Sequence, residues 1–223
     1  MRLCAFDLDG TLIDSIKDIA MAMNRALLSC GYAAYEIDKY YHMVGNGMRI
    51  LCTRAVQNNP VKDGSGIEEV EKRYQHCYLQ NCSKYTKIYP GIISCLLKLK
   101  ADGFMLGVIS NKPQEQVQKV ISALFPKHLF SFVQGQQDGV RKKPFPDSLL
   151  NWMEMYAIEK EDVIFIGDSA VDIDFGKNAE VGTIGVLWGF RNREELEGAG
   201  AGSVVENPEE LYGIIRKKYD GNF

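Results

Sequence analysis

Short apolar runs alternate with amphipathic stretches along most of this chain. The apolar runs are nearly continuous, which is typical of strands buried on both faces of a sheet. The stretches between them carry apolar residues at helical spacing. The pattern predicts strands over residues 3–6, 104–109, 130–133, 163–166, 183–187 and 203–205, and helices over 92–100, 114–124, 146–156, 170–179 and 208–218. This alternation indicates an α/β fold, with a parallel sheet and helices on both of its faces.

Residues 15–87 interrupt the alternation, because they contain helical patterns and loops but no convincing strand. A helix is predicted from Ile16 towards Gly31, and Ser15 followed by Asp18 predicts a capping box at its start. Two further apolar stripes at helical spacing follow, one within 48–56 and one within 70–78. We therefore expect an all-helical insert at 15–87 and a catalytic core formed by 1–14 and 88–223.

The composition is that of an ordinary globular protein, with 46% hydrophobic and 25% charged residues among 223. The formal net charge is −3 and no dense basic run occurs, which argues against a nucleic-acid partner. No apolar run approaches the length of a membrane span, so no membrane partner is expected. The six cysteines lack zinc-ribbon spacing, and we expect them to be reduced in a cytoplasmic protein. The sequence leaves open whether the protein is a monomer or a homodimer.

The first predicted strand ends in two acids, Asp7 and Asp9, which would project from one face if the strand geometry continues. Buried carboxylates are costly unless paired, and Mg²⁺ takes its oxygen ligands from carboxylates and substrate phosphate. Gly10 permits a tight turn, and the Thr11 hydroxyl could lock this turn or bind a substrate oxygen. Since a carboxylate can attack phosphorus, Asp7 is the candidate nucleophile and Asp9 the candidate general acid and base. The alternative is a strand end with solvated acids.

Two other predicted strands also end in polar residues, Ser110 with Asn111 and Asp168. The carboxyl ends of parallel strands meet at one edge of the sheet, where ligands bind in α/β folds. We expect Ser110 and Asn111 to donate to phosphoryl oxygens. Asp168 would join Asp7 and Asp9 in a metal site, because several acids at one place need a cation to offset their repulsion. This convergence favours a metal-assisted phosphoryl-transfer site over solvated acids.

A cation for the phosphoryl group is expected from Lys143 rather than Lys142, because the following proline restricts its backbone. The alternative is a lysine at the surface. Asp172 could hold a metal-bound water or brace a neighbouring ligand, or it could be an acid in the first turn of a helix, favoured by the macrodipole. The glycine-rich loop that contains Gly47, with Arg49 beyond it, is a candidate for substrate recognition or a plain loop before a helix.

Four motifs, taken in order, resemble those of the haloacid dehalogenase superfamily of aspartyl-phosphate phosphatases. They are FDLDGTLIDS, VISNK, KKPFPD and GDSAVDI. The resemblance implies a Rossmann-like core, a Mg²⁺-dependent site and a helical cap that closes over it. It also implies that Asp7 is the nucleophile and that Asp9 is the acid and base, with Asp9 binding metal through its backbone carbonyl.

Two stretches, LIDSIKDIAMAMNRAL and HMVGNGMRILCTRAV, resemble the phosphoglycolate phosphatases. We therefore expect a Mg²⁺-dependent hydrolase of a small phosphorylated metabolite, with 2-phosphoglycolate as the leading candidate. A pyrophosphatase, or a sugar-phosphate phosphatase or mutase of the same superfamily, remains open. The alternative outside enzymes is a non-catalytic protein that binds a phosphorylated ligand. Fold and superfamily do not decide among these.

Overall fold

The structure is a computed structural model that describes residues 1–220, and the part of the predicted core at 221–223 lies outside the described residues. The strands are β1 (Leu3–Phe6), β2 (Ile13–Asp14), β3 (Lys87–Ile88), β4 (Met105–Pro113), β5 (Phe132–Gln136), β6 (Val163–Gly167), β7 (Gly182–Val186) and β8 (Ser203–Val205). The α-helices are α1 (Ile16–Ser29), α2 (Met48–Gln57), α3 (Ile67–Asn81), α4 (Ile92–Ala101), α5 (Gln114–Leu124), α6 (Asp147–Tyr156), α7 (Ala170–Asn178), α8 (Arg193–Gly198) and α9 (Pro208–Asp220). Two short 3₁₀ helices cover Ile37–His42 and Lys160–Asp162.

Six of the strands form one parallel sheet in the order β5-β4-β1-β6-β7-β8. The central strand β1 pairs with β4 on one side and β6 on the other, so that Phe6 lies opposite both Val108 and Ile166. The predicted α/β fold with a parallel sheet is therefore confirmed. The other two strands, β2 and β3, form a small antiparallel pair at the two ends of the helical segment.

The apolar run of β1 is explained by burial on both faces of the sheet. Leu3 and Ala5 pack into one hydrophobic cluster and Cys4 and Phe6 into another, because successive side chains of a strand point to opposite faces. All four side chains are fully buried. Such a strand has no solvent-facing position that would require polar residues, which accounts for the absence of alternation.

The helical segment between β2 and β3 is held together by packing of α1 against α3 and by one buried acid. Asp18 on α1 accepts hydrogen bonds from the backbone N–H groups of Tyr85 and Thr86 and from the Thr86 hydroxyl, at 2.7–2.9 Å. The predicted capping box at Ser15 is therefore wrong. Its acid is used by a segment distant in sequence, and Ser15 donates its hydroxyl hydrogen bond to Asp9 instead.

Strand β4 continues beyond its predicted end and becomes irregular near its carboxyl end. Its register against β5 shifts between Ile109 and Pro113. The backbone of β5 approaches closely here, since a Cβ on Gly135 would lie 2.6 Å from the Lys112 carbonyl oxygen. The extra strand residues bury polar side chains at the sheet edge. Within residues 1–220, none of the helices has the length and apolar character that crossing a membrane requires.

Candidate active site

The predicted site residues converge at the carboxyl ends of β1, β4 and β6. Asp7 directly follows β1, and its backbone N–H donates to the carbonyl of Ile166 at 2.8 Å. Ser110 and Asn111 lie in the last part of β4, and Asp168 directly follows β6. Strands β4 and β6 flank β1 on opposite sides, so the connections lead away from it in both directions. This is the topological switch point at which parallel α/β sheets bind ligands.

Three carboxylates form a buried cluster at this edge. Oxygens of Asp7, Asp168 and Asp172 lie within 4.8 Å of one another, and all three residues are buried. The cluster requires glycine beside it. A Cβ on Gly10, which has a φ of +92°, would lie 2.3 Å from an oxygen of Asp168. The Asp168 carboxylate also accepts hydrogen bonds from the Phe190 backbone N–H at 2.8 Å and, more weakly, from the Thr11 hydroxyl at 3.3 Å.

Lys143 supplies a positive charge to this cluster. Its Nζ donates to Oδ1 of Asp7 and Oδ1 of Asp172, each at 2.6 Å, and its side chain is 3% exposed. Burial would lower the pKa of Lys143, but the attraction of Asp172 and Asp7 outweighs it, and the net pKa is raised. Lys143 is therefore a charged ammonium at neutral pH. The neighbouring Lys142 points elsewhere, since its Nζ donates to the backbone carbonyl of Asn46.

One ammonium does not balance three buried carboxylates. Burial raises the pKa of Asp7 to about 7, although Lys143 opposes this shift. Burial, with repulsion from Asp172 and Asp7, raises the pKa of Asp168 well above its usual range. A cation would relieve both the repulsion and the loss of hydration. The cluster consists only of carboxylate oxygens, so its chemistry fits a hard divalent metal ion.

Asp172 has one of the two roles that the sequence left open, that of an acid in the first turn of a helix. Its Oδ2 accepts hydrogen bonds from the backbone N–H and the hydroxyl of Ser169, which completes a capping box at the start of α7. Its Oδ1 accepts the hydrogen bond from Lys143. The residue therefore caps a helix and holds a site lysine at the same time.

The carboxylate of Asp9 binds Lys112 and Ser15. It accepts hydrogen bonds from Lys112 Nζ at 2.6 and 2.7 Å and from the Ser15 hydroxyl at 2.5 Å. The three acids grouped within residues 1–220 do not include Asp9. Its metal contact through the backbone carbonyl, which the resemblance implies, stays a prediction. Asp9 and Asp7 instead border a common cavity.

This cavity of about 60 Å³ lies between the sheet edge and the helical segment. Its polar side is formed by residues at the ends of β1 and β4, which are Asp7, Asp9, Ser110, Asn111 and Lys112. Its apolar side comes from the helical segment, with Ile19, Val44, Met48, Leu51 and Tyr74. A bound molecule would therefore contact charged groups on one side and an apolar wall on the other.

Sequence reasoning missed Lys112, which is 7% exposed and borders the cavity. Its ammonium is fixed by Asp9 and lies 4.7 Å from the ring centroid of Tyr78 on α3. A sequence signal existed, because Lys112 is the last residue of the VISNK motif and directly follows the predicted strand end. A lysine there is unusual, since lysines are rarely buried unless paired.

Some of the predicted substrate-contacting residues border the cavity, and others do not. Asn111 borders the cavity and donates from Nδ2 to the carbonyls of Gly45 and Lys143. Gly47 also borders it, and its φ of +88° is a conformation that side chains disfavour. Thr11 is fully buried and, as the hydrogen bond to Asp168 shows, braces the acid cluster instead of facing the cavity.

Arg49 is not brought to this cavity. Its guanidinium donates to Glu68 at 2.6 Å and Glu71 at 2.7 Å, both on α3. It borders a separate, wider surface depression together with Glu71. This placement gives no support to substrate contact by Arg49, which stays a prediction.

Comparison with known proteins agrees with this geometry. The model of the haloacid dehalogenase-like hydrolase family matches residues 4–186. The phosphoglycolate phosphatase of Aquifex aeolicus is 39% identical over 190 residues, which cover 85% of this chain and 86% of that protein. The phosphoglycolate phosphatase of Psychrobacter arcticus is 34% identical over 226 residues, with 99% and 98% covered. A crystal structure of a predicted phosphoglycolate phosphatase from Haemophilus somnus superposes with a TM-score of 0.88 at 26% identity, covering 96% and 98%.

The chain therefore belongs to the haloacid dehalogenase-like hydrolase family. It is an enzyme of the phosphatase class, and the resemblance to phosphoglycolate phosphatases that the sequence indicated is confirmed by these relatives.

Proposed function

We propose that this enzyme is a Mg²⁺-dependent phosphomonoester hydrolase that acts through an aspartyl-phosphate intermediate. The observation that carries the proposal is the position of Asp7. Its carboxylate borders the cavity, touches Lys143 and belongs to the buried acid cluster. A nucleophile needs this combination, because it must reach the phosphorus while its own charge is held in place.

Mg²⁺ is the proposed metal, with Asp7 and Asp168 as ligands and Asp9 contributing through its backbone carbonyl. The proposal is supported by the all-oxygen donor set and by the raised pKa values of Asp7 and Asp168. When bound, Mg²⁺ would offset the charge of the phosphoryl oxygens and reduce their repulsion by the carboxylates. Asp172 is a supporting residue in this arrangement, because it holds Lys143.

In the proposed reaction, Asp7 attacks phosphorus and the bond to the leaving alkoxide oxygen breaks. Lys143 keeps the attacking carboxylate oriented and stabilises negative charge on the phosphoryl group. The Ser110 hydroxyl donates a hydrogen bond to a phosphoryl oxygen. A donation by the Asn111 amide, which stays a prediction, would require it to release the carbonyl of Gly45 or Lys143. Asp9 gives its proton to the leaving oxygen, and afterwards takes a proton from the water that attacks the aspartyl-phosphate. The water oxygen ends on inorganic phosphate, and Asp7 is regenerated.

The proposed substrate is a small phosphorylated metabolite, with 2-phosphoglycolate as the leading candidate. Support comes from the relatives and from the cavity, which is small and carries the positive charge of Lys112 on its wall. The ammonium of Lys112 would bind a second anionic group of the substrate, such as a carboxylate.

Phosphate release from a panel of phosphate esters, with and without Mg²⁺, tests this function. The panel contains 2-phosphoglycolate, ethyl phosphate, sugar phosphates, nucleotides and pyrophosphate. We expect a preference for 2-phosphoglycolate that is lost without Mg²⁺. Preference for another compound would contradict the substrate, and phosphoryl transfer to a second sugar without phosphate release would indicate a mutase. No release from any compound would contradict the hydrolase proposal.

The role of Lys112 is tested by Lys112→Met, with Lys127→Met as an exposed control. We expect KM for 2-phosphoglycolate to rise about tenfold, as for the loss of one charge-assisted hydrogen bond. KM for ethyl phosphate, which lacks the carboxylate, should change much less. Equal changes for both substrates would refute recognition of a second anion by Lys112.

The proposed organisation is a catalytic core at 1–14 and 88–223 with a helical cap at 15–87. It is supported by the position of β2 and β3 at the two ends of the helical segment and by the cavity between that segment and the sheet. A cytoplasmic location is supported by six cysteines without disulfide bonds. Light scattering would distinguish the monomer from the homodimer.

A further inference from the structure

The loop at residues 44–46 is attached to the core by three side chains from different parts of the chain. Its three consecutive backbone carbonyls accept hydrogen bonds from Arg191 at 3.0 Å, Asn111 at 3.2 Å and Lys142 at 2.9 Å. Arg191 lies between β7 and α8, Asn111 lies in β4 and Lys142 precedes α6. The same loop borders the cavity, so its attachment determines one wall of the candidate active site.

Arg191 makes further contacts besides the one to Val44. Its guanidinium donates to the carbonyl of Tyr41 as well as to that of Val44, and it forms an ion pair with Glu195 at 3.3 Å. The side chain is 13% exposed. The ring of the preceding residue, Phe190, lies edge-on to Tyr41 with centroids 5.5 Å apart. Arg191 and Phe190 therefore hold Tyr41 and Val44 of the helical segment against the core.

Residues 188–190, which directly precede Arg191, contact the acid cluster and the turn beside it. The indole N–H of Trp188 donates to the Thr11 carbonyl at 2.9 Å, and the backbone N–H of Phe190 donates to Asp168 at 2.8 Å. Gly189 lies so close that a Cβ there would be 2.3 Å from the Gly10 carbonyl oxygen. Residues 188–191 thus link the acid cluster to the cavity loop.

A purely structural explanation is that Arg191 satisfies carbonyls at the end of the 3₁₀ helix Ile37–His42. Arg54 on α2 does this, because it donates to the carbonyl of Met43 at 2.9 Å from within the same helical segment. Arg191 differs from Arg54 because it does not belong to the helical segment. It comes from the core and crosses to the helical segment at the edge of the cavity, where both Val44 and Gly45 contribute to the wall.

We propose that Arg191 is a positioning residue for substrate binding, which holds residues 44–47 against the core so that they complete the cavity wall. The inference rests on the proposed function, because the cavity concerned is the proposed substrate site. Arg191 touches neither the reacting carboxylate of Asp7 nor the cavity itself. It acts through the loop carbonyls that it binds.

Arg191→Gln tests the proposal, with Arg191→Lys as the conservative variant and Arg193→Gln as the control. Arg193 is close in sequence and forms exposed ion pairs with Glu197 and Glu206. In Arg191→Gln we expect KM for 2-phosphoglycolate to rise about tenfold with kcat nearly unchanged, because the loop is correctly placed in only a fraction of the molecules. Arg191→Lys should recover part of this loss, and Arg193→Gln should resemble the wild type.

Two further readouts separate positioning from general destabilisation. Competitive inhibition by inorganic phosphate should change little in Arg191→Gln, because the proposed phosphoryl site lies among the core residues around Asp7. Hydrogen exchange at the backbone amides of residues 44–49 should become faster, while exchange in β1 and β4 stays as in the wild type. Parallel losses of phosphate inhibition, kcat and melting temperature would assign Arg191 a structural role only.

An unchanged KM in folded Arg191→Gln would overturn the proposal even if the hydrolase activity is established. If the wild-type enzyme released no phosphate from any ester, the proposed function would fail separately. Hydrogen exchange still decides about Arg191 in that case, because unchanged exchange at 44–49 would show that it does not hold the loop.

Discussion

Removal of the positive charge of Lys143 should destabilise the protein strongly, because two buried carboxylates lose their ion-pair partner. In Lys143→Met, Asp7 and Asp172 lose hydrogen bonds of 2.6 Å at positions where both side chains are at most 10% exposed. Removing one partner of a buried ion pair costs about 3–5 kcal/mol. For a chain of this length, that loss lowers the melting temperature by about 6–20 °C.

The measurement is urea unfolding of Lys143→Met without metal, beside Lys160→Met as the control. Lys160 forms an exposed pair with Glu180, so its loss should change the free energy of unfolding much less than the loss of Lys143. The effect of Lys143→Met should also depend on pH. A carboxyl with a folded pKa above its unfolded value favours the protonated folded state, so stability falls as pH rises through that range. The pKa of Asp7 is already about 7 with Lys143 present, and loss of the lysine would raise it further.

The destabilisation by Lys143→Met should therefore be larger at pH 8 than at pH 5. Adding Mg²⁺ should restore part of the lost stability, because a bound cation compensates the same carboxylates. Combination with Asp172→Asn should be less damaging than the sum of the two single changes, since it removes one uncompensated charge. A loss below about 1 kcal/mol in Lys143→Met at pH 8 would refute the ion-pair account of this cluster.

Other predictions concern the fold and the linkage of metal binding to protons. Asp18→Asn should lower the free energy of unfolding, measured in urea, by about 2–3 kcal/mol, because a buried carboxylate that accepts three hydrogen bonds is lost. Asp38→Asn, at an exposed position, is the control. Equal stability of the two variants would refute this prediction. Mn²⁺ affinity, measured by calorimetry, should increase with pH up to about 7, since metal binding displaces the proton of Asp7. An affinity that does not change between pH 5 and pH 7 would contradict the raised pKa of Asp7. Gly107→Ala should destabilise the protein by about 1–3 kcal/mol, because its Cβ would lie 2.1 Å from a ring carbon of Phe132. Gly213→Ala, in open space on α9, should instead stabilise it by about 0.5–1 kcal/mol in thermal unfolding, and the same sign for both alanines would contradict the packing argument.

The sheet was predictable because its strands are buried on both faces. A run such as Leu3–Phe6 has no polar position, and its end at two acids is visible without any structure. The convergence of Asp7, Ser110 and Asp168 followed from the rule that parallel strands end at a common edge. These inferences need only local patterns together with one topological rule.

Hydrogen-bond partners were less predictable, because they depend on which distant segments come close. Ser15 and Ser169 are each followed three residues later by an acid, but only Ser169 forms a capping box. The Ser15 hydroxyl is bound by Asp9 and the acid at position 18 by the segment after α3. The identical local spacing therefore has two outcomes that tertiary contacts decide.

Lys112 and Arg191 illustrate two degrees of difficulty. Lys112 directly follows a predicted strand end, so its position next to the site could have been inferred from the sequence. Arg191 binds backbone carbonyls, which every residue possesses, and no residue type at positions 41–44 announces that contact. Such side chain–backbone contacts are read only from the folded structure.

The central claim, covalent catalysis by Asp7, is tested most directly by acid quenching during turnover of 2-phosphoglycolate with Mg²⁺, followed by mass spectrometry of the peptides. The account predicts a phosphoryl group on the peptide that contains Asp7, and neither this label nor phosphate release in Asp7→Asn. Phosphate release that persists in Asp7→Asn, or a phosphoryl group on a different residue, would contradict it.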